Sequence, residues 1–594
     1  MLKEEWRIYG KKANFNEISL KFNVSPQTAR IIRNKDIITD EQIEKYLYGT
    51  LDKLSSPFLF KDMEKGVKLV LSAIQKGKKI RVIGDYDIDG ICSTYILTNG
   101  IEKFGGNVSM DIPDRIKDGY GINKSIIDKA KEDNIDLIIT CDNGIAAIDE
   151  IKYAKQQGMI VVVTDHHQVP FEIINGEKSY IRVCADAVIN HKQPDCEYPF
   201  KELCGAAIAY QFINAMYDIR FKNNEMLPRD FLKISEEFLV FAAIATIGDV
   251  VSLQDENRII AKTGLKKILN TTNIGLRELL KAYKLEESKI TSFHIGFLIG
   301  PCLNATGRLE SAKLGYNLLN EKNVNKAKKL ANDLLELNNR RKELTNIGEA
   351  IAFNLAKEQA SNKVLVIYMP EIHESIAGIV AGRVREKFNK PTIVLTDGED
   401  LVKGSGRSIE TYNMYEELNK CAKLLERFGG HKMAAGLSLK AENIAKLTKM
   451  LNENQTLTDK DLIKKVWIDV PLPIKYLSEA FIEELRLLEP FGKDNEKPVF
   501  AIKDVNIKKM YIIGANKNMG RFILESEGYT VTALMFSNYE EFLEEVEEKY
   551  GNEQLGKLKM GFETNIHPSF TYYPSLNEYK GGKSIQICIT GYSI

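Results

Sequence analysis

Three short stretches of the chain join an apolar run to acid or imidazole. Val161-Val162-Val163-Thr164 leads into Asp165-His166-His167, and Lys79-Ile80-Arg81-Val82-Ile83-Gly84 leads into Asp85-Tyr86-Asp87-Ile88-Asp89-Gly90. Leu137-Ile138-Ile139-Thr140-Cys141 leads into Asp142-Asn143-Gly144. Each apolar run has the length and β-branched content of a buried strand. Each polar group then falls at the carboxyl end of its strand, where open α/β sheets bind ligands. Carboxylates with one or two imidazoles are the donors that hold Mn²⁺ or Mg²⁺, with Mn²⁺ favoured where His takes part. Singly, the pieces have plainer readings: an Asp after a strand is usually a turn former or helix cap, and a His pair is more often a satisfied pair than a ligand set. Asp85–Gly90 also imitates the start of an EF-hand loop. That loop needs Glu at its twelfth position, which here is Ile96, and a helix rather than a strand before it. Three such pieces in one strand-to-helix register point to a metal site.

The elements that must position these groups follow from periodicity. From about residue 61 to 265 apolar strands alternate with amphipathic helices, the pattern of a parallel α/β sheet. Within it Asp111-Ile112-Pro113-Asp114-Arg115-Ile116-Lys117-Asp118-Gly119-Tyr120-Gly121 is a Gly-rich loop able to hold a phosphate, or simply a turn. Ala242-Ala243-Ile244-Ala245-Thr246-Ile247-Gly248-Asp249-Val250-Val251 reads as an apolar helix interrupted by one acid, costly inside such a run unless Asp249 caps, pairs or binds metal. Residues 311–360, free of Pro and rich in Leu, Ala, Asn, Lys and Glu, predict a long connecting helix. A second lobe, 361–458, carries a helix starting at Glu374, a compact Gly404-Ser405-Gly406-Arg407-Ser408 loop, and Gly429-Gly430-His431-Lys432, a turn expected to open a small-residue helix. From 459 to 594 period-two alternation predicts a small β-barrel, with Lys503, Lys508, Lys509, Lys517, Arg521, Tyr511 and Phe522 as a candidate basic and aromatic face. Residues 1–60 look helical. Ile18–Ala29 resembles a helix-turn-helix with Ser25 as a cap, and the expectation is an ordinary hairpin packed on the catalytic domain.

Composition bounds the answer. At 594 residues the chain has room for three or four domains, and 44% hydrophobic residues suffice for their cores. Lys plus Arg and Asp plus Glu both number 82, so a nucleic-acid enzyme with this composition must concentrate its cations locally. The eight cysteines show no CxxC spacing and read as buried thiols of a reducing compartment. With no apolar signal core and no run of about 18 apolar residues, a soluble cytoplasmic protein is expected, with no membrane partner.

Together, Asp85-Tyr86-Asp87-Ile88-Asp89-Gly90, Asp142, and Asp165-His166-His167 resemble the successive motifs of the DHH phosphoesterase superfamily. Further motifs are similar to those of its RecJ-like branch, metal-dependent 5′→3′ exonucleases of single-stranded DNA in repair and recombination. Gly248-Asp249 matches the fourth metal motif, with Gly where Ala is usual; Asn304-Ala305-Thr306-Gly307-Arg308 departs from Asn-Ala-Ala-Gly-Arg at Thr306. The Glu374, Ser405/Arg407 and Gly429–His431 segments resemble the DHHA1 domain, and Leu488-Glu489-Pro490-Phe491-Gly492 introduces an OB-like domain, though Gly-Asn-Pro has become Asp494-Asn495-Glu496. The resemblance implies a parallel-sheet DHH domain (61–310), a connecting helix (311–360), a DHHA1 domain (361–458) and an OB-like single-strand-binding domain (459–594) behind the N-terminal segment (1–60). It implies two ions on Asp87, Asp89, Asp142, His166 and Asp249, with Asp142 bridging, Asp85 and Asp165 orienting the ligands, and His167 holding a phosphate oxygen or protonating the leaving group. Arg115, Arg308, Ser405, Arg407 and His431 would fix phosphates. The implied protein is a monomer acting on a 5′-ended single strand, with a single-strand-binding protein and a helicase as candidate partners. The alternatives are a nanoRNase or cyclic-dinucleotide phosphodiesterase on the same core, or a non-catalytic nucleic-acid-binding protein.

Overall fold

The computed structural model describes residues 4–115, 117–222, 228–514, 518–562, 564–579 and 582–594. It falls into two compact units, one of Gly49–Thr456 with Gly492–Asp494, the other of Met1–Tyr48, Leu457–Phe491 and Asn495–Ile594. The first strand, β1 (Glu4–Ile8), belongs to the second of these.

The larger unit begins with a sheet of β2 (Lys79–Ile83), β3 (Asn107–Asp111), β4 (Leu137–Cys141), β5 (Ile160–Thr164) and β8 (Ala187–Ile189); β6 (Phe171–Ile174) and β7 (Glu177–Tyr180) form a separate exposed hairpin. The order is β3-β2-β4-β5-β8 and every pair is parallel. All five residues of β4 are buried, as the continuous apolar run requires of a strand covered on both faces. The helices Ile88–Lys103, Gly205–Lys222 and Pro228–Gly248 pack together over it in one core. Because β2, β4 and β5 are neighbours and parallel, their three polar termini emerge at one edge.

The connecting segment is the expected long helix, Val324–Glu358, capped by Asn323 accepting from Lys326 N and preceded by a short helix, Lys313–Asn320. The second lobe is a mixed sheet of β9 (Leu365–Tyr368), β10 (Thr392–Asp397), β11 (Val402–Arg407), β12 (Arg427–His431) and β13 (Ala434–Leu439), ordered β12-β13-β11-β10-β9. Two expectations are corrected here. The Gly404–Ser408 stretch is largely strand β11, not a compact loop, and Gly429–His431 ends the first strand of a β12–β13 hairpin instead of opening a helix. The reason is close sheet packing: a Cβ on Gly404 would lie 2.5 Å from Leu395 Cδ2, and Gly430 takes φ +140° where a Cβ would lie 2.4 Å from the Ala434 carbonyl. The helix Glu374–Phe388 starts where expected.

The terminal unit holds β14 (Lys464–Ile468), β15 (Val470–Pro471), β16 (Phe500–Ile502), β17 (Asn506–Ile513), β18 (Met519–Ser526), β19 (Tyr529–Met535), β20 (Ser569–Tyr579) and β21 (Gly582–Ser593). The last seven form an OB-like mixed sheet ordered β15-β16-β20-β21-β19-β18-β17, with a helical segment, Tyr539–Met560, broken into two helices at Gly551 (φ +82°), that alternation alone did not reveal. The N-terminal segment is not all helix and is divided: residues 1–48 belong to this terminal unit, while Phe60, with Leu51, Leu54 and Phe58 packed beside it, belongs to the core of the larger one. β1 pairs in parallel with β14, and Phe22, Ile31, Ile32 and Tyr46 share one core with Leu485, Phe500 and Phe570. Ser25 does cap its helix by accepting from Thr28 N, and its own N–H and hydroxyl donate to Glu484 Oε1 at 2.8 and 2.7 Å. Asn495, inside the departed Asp494-Asn495-Glu496 segment, is fully buried, donating to the Leu488 and Pro490 carbonyls and accepting from Tyr46 Oη.

The candidate basic face is smaller than expected. Phe522 is buried in the core and Lys508 is paired with Glu525, while Lys517 lies outside the described residues. Tyr511 remains exposed, opposite Arg521 in register and with that guanidinium 5.9 Å from its ring centre; Lys503 and Lys509 are also exposed.

Candidate active site

The acid centre is built by strand ends and first helical turns. Asp87 caps the Ile88–Lys103 helix, its Oδ1 accepting from Asp89 N (3.0 Å) and Gly90 N (3.1 Å). The turn closes only over glycine, since a Cβ at Gly90 would lie 2.3 Å from the Asp85 carbonyl oxygen. Asp89, wholly buried, accepts from Gly205 N (2.6 Å) and Ala206 N (2.7 Å), the free amides at the start of the Gly205–Lys222 helix. Asp142 follows β4 with φ +60°, and a Cβ on Gly205 would stand 2.8 Å from the Asp142 Cβ. Asp165 accepts from the amides of Ile145, His166 and His167 and from His167 Nδ1 at 2.8 Å, so its oxygens are engaged in orienting the loop. Asp249 follows the Pro228–Gly248 helix, as its end rather than its interior. Its neighbour Gly248 leaves room for Ile88: a Cβ there would lie 2.7 Å from Ile88 Cδ1, so glycine in place of the usual Ala is matched by a bulky partner.

These side chains converge. His166 Nε2 stands 3.0 Å from Asp142 Oδ1, 3.6 Å from Asp89 Oδ2 and 3.9 Å from Asp249 Oδ2. Three sets each bring their donor atoms within 4.8 Å of one another: Asp142, His166 and His167; Asp89, His166 and Asp249; Asp85, Asp87 and Asp142. Asp142 and His166 are each shared by two sets, the arrangement of two adjacent cation sites. Asp85, expected only to orient its neighbours, stands at donor distance as well as accepting from Gly121 N.

Charge is the test of whether a cation fits. Among the described residues no Lys or Arg forms an ion pair with Asp85, Asp87, Asp89, Asp142 or Asp249. Burial first, and then the neighbouring Asp87, push the carboxyl of Asp89 up to about 6 and that of Asp85 well above the usual range. Burial and then Asp89 and Asp87 raise Asp142 and Asp249 likewise. Burial, then the His167 charge, hold His166 down to about 3, leaving its ring free to ligate. Buried like charges at these distances cost several kcal/mol unless a counter-ion joins them. The oxygen-rich donor set fits Mn²⁺ or Mg²⁺. His167 differs: burial alone would lower it, but its hydrogen bond to Asp165 and the surrounding carboxylates raise it to about 9. Burial would likewise raise Asp165, yet His167 brings it down to about 2.

A second constellation lies beside the first. Arg115, Arg308, Ser405 and Arg407 line one cavity of about 440 Å³, with Lys403 and Arg427, which the sequence reading missed. Arg407 donates to Ser405 Oγ (3.0 Å) and to the Gly406 carbonyl (2.8 Å), and Gly378 lets the Glu374–Phe388 helix lie close over this pair. Arg308 donates to the Ser375 carbonyl at 2.7 Å. Burial and then the nearby Arg115 lower Arg308 to about 10 and also lower Arg407, as expected of cations crowded together without an anion. Two contacts tie the cavity to the acid centre. The Arg115 guanidinium lies 4.9 Å from the Tyr86 ring centre, and Asn304 Oδ1 accepts from Ile88 N at 2.7 Å. Thr306, where the motif departs, is buried with its hydroxyl donating to the Leu303 carbonyl.

His431 is outside the cavity lining, exposed on β12. It shares a sheet face with Arg407, since His431 pairs with Ala434 and Ala434 with Arg407. The same alternation puts Arg427, Gly429 and His431 on one side, so reading 427–431 as a strand would have found Arg427. A Cβ on Gly429 or Gly436 would meet nothing within 4 Å, which leaves an open floor between these side chains.

Residues 79–244 match the DHH family N-terminal domain model, 361–456 the DHHA1 domain and 468–591 the RecJ OB domain. The chain is 32% identical to the single-stranded-DNA-specific exonuclease RecJ of Bacillus subtilis over 96% of its own length and 68% of that protein's. A crystal structure of Thermus thermophilus RecJ in complex with Mn²⁺ shares the fold, with a TM-score of 0.80 at 24% identity over all of this chain and 80% of that one. A structure of exonuclease RecJ bound to manganese is 30% identical, with a TM-score of 0.55, covering 66% of this chain and 94% of that one. The succession of domains and the near full-length identity make this chain a member of the RecJ family of single-stranded-DNA-specific exonucleases.

Proposed function

We propose that this protein is a metal-dependent exonuclease that degrades single-stranded DNA from its 5′ end to mononucleotides, in DNA repair and recombination. The observation that carries the reading is the joining of a buried acid centre to a cation-lined cavity through the Asp85-Tyr86-Asp87 loop and the Asn304–Arg308 helix. Asp87, Asp89, Asp142, His166 and Asp249, with Asp85 and His167 at hand, would hold two Mn²⁺ or Mg²⁺ ions. Bound divalent ions supply Lewis acidity to the phosphodiester and acidify water. Arg115, Arg308, Ser405 and Arg407 hold the terminal and scissile phosphates by charge-assisted hydrogen bonds, with His431 at the open rim. His167, hydrogen-bonded to Asp165 and 3.1 Å from Tyr120 Oη, holds a phosphate oxygen or protonates the leaving oxygen. Asp165 keeps that ring in place.

The chain divides on this reading into an N-terminal segment (1–60), DHH (61–310), connecting (311–360), DHHA1 (361–458) and OB-like (459–594) regions, the last supplying strand affinity through the Tyr511/Arg521 face. The OB region disfavours a nanoRNase or cyclic-dinucleotide phosphodiesterase, which would have no use for it, and the acid centre disfavours a purely binding role. The eight free cysteines suit a reducing cytoplasm, and no described helix is long and apolar enough to cross a membrane. A monomer working beside a single-strand-binding protein and a helicase completes the proposal. Single strands labelled at either end, incubated with and without Mn²⁺, test it. The reading expects label released as mononucleotide from the 5′ end only, and only with metal; release from the 3′ end, or none with either ion, overturns it.

A further inference from the structure

One feature of the larger unit has no role in the chemistry above. Just before the Gly300–Leu309 helix the chain makes a π turn, Ile295–Ile299, itself preceded by the short turn Ser292–His294. Wide turns of this kind are rare and occur often at functional sites. Phe293, in the short turn, and Phe297, in the π turn, stack on each other, ring centres 4.9 Å apart and planes at 25°, yet they are 59% and 60% exposed. Scattered exposed apolar residues need no explanation. Two large rings held face to face in solvent do.

Their position supplies it. From Pro301 to Arg308 the helix side chains are buried except Pro301, Asn304 and Arg308, which continue the spacing of Phe293 and Phe297 along one stripe. The stripe ends inside the cavity, at Arg308, and passes Asn304, which holds the loop of the acid centre. It rises roughly 20 Å from Phe293 to Arg308, the reach of several nucleotides at about 3.4 Å for each stacked one. No Asp or Glu occurs between Ser288 and Leu309, whereas Lys289 and Arg308 do, so the segment itself adds no charge that repels a phosphate backbone. Two rings are far too small a patch for a protein partner, which needs an interface of order 1,000 Å². They match the π-faces of unpaired bases, which stack on aromatic side chains whatever their sequence.

We infer that Phe293 and Phe297 form a stacking platform for bases of the single strand a few nucleotides inward from the end held at Arg308 and Arg407. The inference rests on the single-strand reading above, and its test keeps the two apart by measuring binding without turnover. In EDTA, a labelled 5′-phosphorylated strand of about 20 nucleotides should bind the full-length Phe293→Ala/Phe297→Ala protein about tenfold more weakly than the parent. Phe297→Leu, which keeps apolar bulk but has no ring, should lose affinity as Phe297→Ala does. An abasic site moved inward from the 5′ end should weaken binding to the parent protein within one window of positions, and that window should vanish in the double variant. With Mn²⁺ present, the preference of the double variant for a long strand over a dinucleotide should fall by a similar factor. Unchanged affinity, a Phe297→Leu protein that binds like the parent, or an abasic window that survives in the double variant would each overturn the platform. A platform confirmed by binding in a protein that hydrolyses no strand would instead overturn the exonuclease reading and leave the platform standing.

Discussion

The acid centre and the cation cavity sit side by side in one unit but are held by different means. In the centre the backbone does the holding: Asp87 and Asp89 each accept two main-chain amides and Asp165 accepts three. In the cavity the cations are tips of long side chains, and Arg308 and Arg407 rest on single carbonyls and one hydroxyl. The centre therefore has its geometry before anything binds, as suits groups that must act on a developing charge. The cavity can shift its guanidinium groups, as suits a site that must accept each successive nucleotide. One half is built for rate and the other for grip, and substitutions should separate the two.

The largest effect is expected at Asp142, shared between two donor sets. Asp142→Ala removes charge stabilisation worth several kcal/mol, so turnover should fall roughly a thousandfold or more at saturating Mn²⁺, while strand affinity measured by polarisation stays close to the parent's. Near-normal turnover would break the division. Next comes Arg407→Ala. It should slow 5′-phosphorylated strands relative to 5′-hydroxyl strands by a factor corresponding to about 1.5–3 kcal/mol, through affinity more than through turnover at saturation. Equal slowing of both substrates would remove Arg407 from the end-holding half. Asp165→Asn keeps the shape of the side chain but weakens its hold on His167, and activity should drop about 10–100-fold with the fold intact. A full loss of metal binding, read by calorimetry, would make Asp165 a ligand instead.

The smallest effect contrasts two glycines. Gly248→Ala pushes a methyl into Ile88 behind the acid centre and should cost about 1–3 kcal/mol in urea melting, partly recovered by Ile88→Val. Gly436→Ala, on the open floor of the cavity, should change stability by less than about 0.5 kcal/mol. Equal costs would mean that the two halves are packed alike.

What could be read from the chain beforehand follows from how far each signal reaches. The three strand ends were visible because an apolar run stopped by acid is a local pattern, and parallel neighbours then bring Asp87, Asp142 and His166 together. The β12–β13 hairpin was not, because Gly429-Gly430 reads as a turn unless the sheet that demands its small residues is known. Arg427 was lost with it. Nor could the fate of residues 1–48 be read, since amphipathic helices announce that they will bury a face but not against what. Phe522 shows the same limit inside a strand, where a one-residue error of phase turns a surface ring into a core one.

The pairing of β1 with β14 sets a timetable for synthesis. The first 48 residues leave the ribosome roughly 400 residues before the strands and helices that cover them. At about 5–20 residues per second that is a wait of roughly 20–80 s, during which Phe22, Ile31 and Ile32 have only the other N-terminal residues of their cluster, such as Ile43 and Leu47, to pack against. The larger unit can complete itself in that interval, so the protein folds from the middle outward. Any chain released early, after its catalytic residues but before Leu457, carries at its N-terminus an apolar segment that lacks the residues that cover it in the complete protein.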